Sequence, residues 1–121
     1  YALADAAVTS SRSEGLPFNV MESMYAGLPV IASRVKGHTD LLEEGRTGLL
    51  YPFDDTAAFT SAVKRLLQEP DLSAALGTAA HDAVQPYALD TVLPQVMEQY
   101  LSLVPAAQPL RAPAFSTTDK E

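Results

Sequence analysis

The feature that most constrains this chain is an alternation that stops at residue 51. Residues 5–10, 29–33 and 49–51 are short apolar runs of the kind that make buried strands. Helix-like segments lie between them. Pro17 suits the first turn of a helix, where its missing N–H costs nothing. That helix is expected to run to Ala26 and stop at Gly27. Val20 and Met24, with Met21 and Tyr25 beside them, would face the sheet. Lys36 and Gly37 turn the chain, and residues 38–44 make a short helix with Leu41 and Leu42 on one face. Residues 45–48 read as a turn by composition. Strand, helix, strand, helix, strand argues for right-handed crossovers and a parallel sheet.

After Tyr51 the pattern is helical only. Asp54 and Asp55 precede a helix over 56–68, in which Phe59, Ala62, Val63, Leu66 and Leu67 recur at i, i+3, i+4, i+7 and i+8. Pro70 ends that run. A second helix is expected over 72–84, with Leu72, Ala75, Leu76, Ala79 and Ala83 on one side, until Pro86 breaks it. A third spans 91–103 with a stripe of Val92, Leu93, Val96, Met97, Tyr100 and Leu101. Residues 105–121 carry Pro, Ala, Ser and Thr without a period and read as a disordered tail. The fold class is therefore α/β, a Rossmann-like parallel sheet followed by C-terminal helices, in one domain over 1–104.

Three parallel strands make a poor sheet by themselves. An open edge presents unpaired N–H and C=O groups, and a parallel sheet needs helices on both faces. The chain also starts at Tyr1 rather than Met. The expectation is a partial domain, with further strands preceding Tyr1.

Composition removes several function classes. With 121 residues there is room for one small domain. The absence of cysteine excludes disulfides, thiol nucleophiles and thiolate metal sites. Two distant histidines give no metal-ligand spacing. A formal net charge of −7 repels nucleic acid and anionic lipid. One small anion can still be held by local backbone dipoles. No apolar run approaches the roughly 20 residues of a membrane span. No Gly-x-Ser-x-Gly elbow supports a serine hydrolase.

The stretch that carries chemistry is Ser13-Glu14-Gly-Leu-Pro-Phe-Asn-Val-Met-Glu22. One carboxylate follows a strand in a loop. The other lies eight positions on, along the next helix. Ligands of open α/β sheets bind in the crevice outside the carboxyl ends of the strands. The amides between the two acids open a helix, where free donors and the dipole favour phosphate. Ionised carboxylates accept hydrogen bonds from hydroxyls. Acid, anion hole and acid thus match a sugar nucleotide, with hydroxyls at both ends and a diphosphate between.

The same residues resemble the C-terminal half of retaining GT-B glycosyltransferases of family four, over residues 5–55. The family signature Glu-x7-Glu, set as E-G-x-P-x-x-x-x-E-A-M-A-x-G-x-P-V-I-A-S, reads here Glu14-Gly-Leu-Pro-Phe-Asn-Val-Met-Glu22-Ser-Met-Tyr-Ala-Gly27-Leu-Pro29-Val-Ile-Ala-Ser33. Gly37-His-Thr-Asp40, Gly48-Leu-Leu50 and Asp54-Asp55 resemble its later elements. Asp40 departs from the usual glutamate and Ser23 from the usual alanine. The local variant with Lys-Gly-His is similar to transferases that build capsules and exopolysaccharides.

That resemblance implies roles. Glu14 would be the catalytic carboxylate facing the donor sugar, and Glu22 would hold the ribose. Backbone amides of Gly15, Leu16, Phe18, Asn19 and Val20 would cradle diphosphate and sugar; Pro17 has none to give. The reaction implied is hexose transfer from a nucleotide sugar with retention, with no metal or other cofactor. The acceptor, a sugar or lipid-linked saccharide, would bind a domain this chain lacks. The implied location is cytoplasmic, at the inner membrane face. A nucleotide-sugar epimerase or inverting transferase on the same fold remains open, as does a non-catalytic sugar-nucleotide-binding module. Gly15, Gly27 and Gly37 are expected to serve backbone conformation. His38 is expected at the surface or as a cap, Met21 and Met24 as core filler, and Lys64-Arg65 on a solvated face. His81 beside Asp82 makes no dyad, since adjacent helical residues diverge.

Overall fold

The computed structural model describes residues 1–104, so the tail expected over 105–121 lies outside the described residues. The chain divides into two compact units at Ala88 and Leu89.

The first unit is built on three parallel strands in the order β1 (Ala7–Thr9), β2 (Val30–Ser33) and β3 (Leu49–Tyr51). The register pairs Val8 with Ile31 and Ile31 with Leu49. All four residues of β2 are buried, as a central parallel strand covered on both faces requires. Side chains alternate across the sheet. Val30, Ala32 and Leu50 pack on one face against Val20, Met24, Ala80 and Val84. Ile31, Leu49 and Tyr51 pack on the other against Ala62, Leu66 and Leu76. Each fully buried Val, Leu, Ile or Met among them stabilises the fold by about 1.5–3 kcal/mol. At β1 the cover is incomplete, and Val8 is 58% exposed.

Helix α1 (Phe18–Tyr25) buries Val20, Ser23 and Met24. Ser23 fits the interior because its hydroxyl donates to Asn19 O at 2.7 Å. Two expectations change here. Pro17 stands at the cap rather than inside the first turn. Tyr25 is exposed, its ring 5.5 Å from that of His81 instead of on the sheet. Gly27 is the expected stop, with φ of +73°.

The helix expected over 38–44 is shorter and earlier: α2 is Lys36–Thr39. It ends because the chain is captured elsewhere. The Glu43 amide donates to the Thr47 hydroxyl at 2.8 Å, and Glu43 O accepts from the Thr47 amide. Leu42 is buried all the same.

Helix α3 (Thr56–Gln68) has the expected bounds. Asp55 caps it, accepting from the Ala58 amide at 2.9 Å. Leu67, expected on the buried stripe, is exposed, about 100° round from buried Leu66. Helix α4 (Pro70–Val84) begins at Pro70 itself, in the position where proline lacks nothing. Its buried residues are Leu76, Gly77, Ala80 and Val84. Ala75 faces solvent, which rotates the contact face from the expected one. A Cβ on Gly77 would lie 2.2 Å from Gly27 O, so α4 meets the end of α1 backbone to backbone. A 3-10 turn, Gln85–Tyr87, follows.

The second unit contains α5 (Leu89–Leu103), which starts two residues before the expected 91 and carries Pro94 internally. Pro94 removes one helical hydrogen bond. None of the α5 residues is buried.

Candidate functional site

The loop from β1 to α1 begins at the carboxyl end of β1. Pro17, buried in this loop, sets the entry into α1 with φ −78° and ψ 95°. Its carbonyl accepts from the amides of Val20 and Met21, both at 3.1 Å. Gly15, Leu16, Phe18 and Asn19 are exposed, and among the described residues their amides donate to no protein atom. These four are a row of free donors at a helix start, where the dipole adds roughly 0.3–1 kcal/mol for a nearby anion. Val20 differs. Its amide is engaged by Pro17 O and its side chain is 2% exposed, in the core. The geometry removes Val20 from the expected cradle.

Glu14 is half-buried in this loop. Its Oε1 accepts the hydroxyl hydrogen of Ser11. Gly37 presses on it from α2: a Cβ there would stand 2.5 Å from Glu14 Cβ and 2.7 Å from Glu14 O. Gly37 has no positive φ, so the expectation of a conformational role changes to one of space. Glu22 lies on the exposed face of α1. Its Oε2 accepts from the Tyr1 hydroxyl at 2.7 Å. That bond, with desolvation and the charge of the same carboxylate, raises the Tyr1 phenol above its ordinary 10.0.

His38 corrects another expectation. It is 0% exposed rather than on the surface. His81 is a tie between helices, Nδ1 donating to Tyr25 O at 2.7 Å. Met24 is core, and Met21 packs partly buried against it. Asp40 pairs with Lys36 at 2.7 Å on the exposed side of α2.

A cavity of about 400 Å³ opens where β1 and β3 end, among Val8, Thr9, Tyr51, Phe53, Asp54 and Phe59. Neither Glu14 nor Glu22 lines it. Its charged lining residues are Asp54 and Asp55, with no cation, which is the wrong chemistry for a diphosphate. The free amides at α1 are the better anion site. Among the described residues, no cluster of three or more His, Asp or Glu side chains is placed to hold a metal. No helix described is long and apolar enough to cross a membrane.

The fold is that of GT-B glycosyltransferases. Sucrose-phosphate synthase from Thermosynechococcus elongatus superposes with a TM-score of 0.77 at 32% identity, over 83% of this chain and 25% of that one. HepE of Anabaena, solved with UDP-glucose, superposes with a TM-score of 0.78 at 24% identity, over 84% of this chain and 29% of that one. Residues 1–83 match the family described as glycosyl transferases group 1. The chain belongs to that family. EpsD of Bacillus subtilis (strain 168), named as a glycosyltransferase, is 41% identical over 75 residues, which is 62% of this chain and 20% of EpsD. The sulfoquinovosyl transferase SQD2 of Arabidopsis thaliana is 34% identical over 90 residues, 72% of this chain and 18% of SQD2. The chain thus spans about a fifth of the length of these curated relatives.

Proposed function

We propose that this chain is the donor-binding part of the C-terminal domain of a GT-B enzyme that transfers a hexose from a nucleotide sugar with retention of configuration. The observation that carries this reading is the row of free amides between Glu14 and Glu22, in a chain of a glycosyltransferase family. Glu14 contacts the reacting sugar, Glu22 holds the ribose, and the amides of Gly15, Leu16, Phe18 and Asn19 receive the diphosphate. As the bond to the leaving phosphate breaks, that phosphate gains charge and the sugar becomes oxocarbenium-like. Donors free to meet the phosphate and held by the fold stabilise that state. The amides and the two carboxylates need no metal for this.

The acceptor, a sugar or lipid-linked saccharide, meets the donor through the rest of the protein, in the cytoplasm at the inner face of the membrane. Assembly of cell-surface polysaccharide is the role suggested by the resemblance of the Glu14–Glu22 stretch with Lys36-Gly37-His38 to transferases that build capsules and exopolysaccharides. The test is a panel of UDP- and GDP-sugars on the full-length gene product, with the anomeric configuration of the product read by NMR. Retention is expected. An inverted anomeric centre, or binding without turnover across a broad acceptor set, would overturn the reading.

A further inference from the structure

A chain of hydrogen bonds runs from the interior of the domain to Glu14. It starts at His38, which is fully buried. His38 Nδ1 lies 2.7 Å from Ser33 O and 3.3 Å from Ser33 Oγ. A carbonyl only accepts, so Nδ1 carries the hydrogen. Ser33, at the end of β2 and likewise fully buried, donates its hydroxyl hydrogen to Ser11 O at 2.6 Å. Ser11 in turn donates to the Glu14 carboxylate. Ser11 is held twice, accepting on its carbonyl from Ser33 and donating from its hydroxyl to the acid. The first bond fixes the loop backbone to the interior and the second fixes the carboxylate to the loop, a hydrogen bond to a charged group being among the stronger ones.

Two further facts separate this arrangement from ordinary packing. His38 Nε2 is buried and has no partner among the described residues. A buried ring nitrogen left without a partner destabilises the fold. An apolar side chain at this position would avoid that loss but would give up the bond from Nδ1 to Ser33 O, the contact that ties α2 to the end of β2. Gly37 of α2 packs directly on the Cβ and backbone of Glu14, with no room for a methyl group between them. Ser11 thus holds the carboxylate while α2 packs against the base of the same residue.

We propose that Ser11, Ser33 and His38 are positioning residues, which hold the Glu14 carboxylate in the orientation it needs at the reacting sugar. The inference rests on the assignment of Glu14 to that sugar. None of the three need touch the donor.

The experiment uses the full-length gene product with UDP-glucose as donor, and measures kcat by UDP release, donor Kd by calorimetry and Tm. Ser11→Ala removes only a hydroxyl from a half-buried loop. It is expected to lower kcat about 10- to 100-fold, the scale of a small misplacement of a reacting group, with donor Kd within about 2-fold and Tm nearly unchanged. Ser11→Thr keeps the hydroxyl and should recover most of kcat. His38→Asn keeps a donor near Nδ1 and should outperform His38→Leu. In a Glu14→Ala background, Ser11→Ala should have no further effect, because the group it orients is gone. Wild-type kcat in Ser11→Ala, or the same fold loss in both backgrounds, would overturn the proposal while leaving Glu14 in its role. Wild-type kcat in Glu14→Ala itself would overturn the role of Glu14 and this inference together. Should the His38 variants not fold, the Ser11 series decides alone.

Discussion

Glu14 stands in a loop and Glu22 on a regular helix, yet the loop residue is the more firmly held. Glu14 takes a hydrogen bond from Ser11 and is backed by Gly37. Glu22 faces solvent and has one partner, the hydroxyl of exposed Tyr1. Regular backbone therefore does not by itself fix a side chain. What fixes it is the number of directions from which it is constrained. A group that must meet a reacting atom gains from such constraint, because small displacements matter there. A group that only grips a ribose needs less of it.

The sharpest way to break this contrast is Glu14→Ala in the full-length protein. We expect kcat to fall about 100- to 1,000-fold, the scale of losing one preorganised electrostatic contact to the transition state. Donor affinity should change little, and equal losses in both would erase the distinction. Gly37→Ala comes next. Its methyl would collide with the Glu14 backbone, so kcat should drop about 10- to 100-fold, and a crystal structure should show Glu14 displaced. Full activity would mean that the loop can retreat. Glu22→Ala is expected to weaken the donor about tenfold, as loss of one hydrogen bond to a charged group implies. Its kcat should stay within a few-fold, which steady-state kinetics can check. Asp55→Ala should be mildest. Losing the α3 cap lowers stability by about 1 kcal/mol with kinetics unaltered, measured by denaturant unfolding beside the activity assay.

Much of the fold was legible from residue order. The strands show as short apolar runs, the second and third bracketed by glycines and prolines, and α3 keeps its expected bounds although Leu67 leaves the buried stripe. Val20 shows how two legible signals can conflict. Its period puts its side chain in the core, as found, and its place in the motif offers its amide to the anion cradle, where the amide instead donates to Pro17 O. The limits of α2 were not legible. They depend on buried Thr47 taking the Glu43 amide, a choice that apolar spacing does not record. His38 was misplaced for a similar reason. Between Gly37 and Thr39 it looks solvated, and the bond from its Nδ1 to Ser33 O, five residues back in the chain, is what apolar spacing does not record. Gly37 gave a signal of the wrong kind. Glycine was read as freedom of φ, whereas the structure uses it for the absence of a methyl group.

The bond from Ser33 to the carbonyl of Ser11 spans 22 residues of sequence, and this has a consequence for how the site comes into being. Synthesis runs from the N-terminus, so Ser11 and Glu14 leave the ribosome well before the strand and helix that restrain them. A nascent chain can hold the complete stretch from Glu14 to Glu22 while its acid still swings freely. The tie from Ser33 to the loop can form only when β2 has joined β1. Such non-local closure comes late in folding, after the loop entropy has been overcome. A truncation that ended before Ser33 would preserve every letter of the motif and lose the anchors of its first carboxylate.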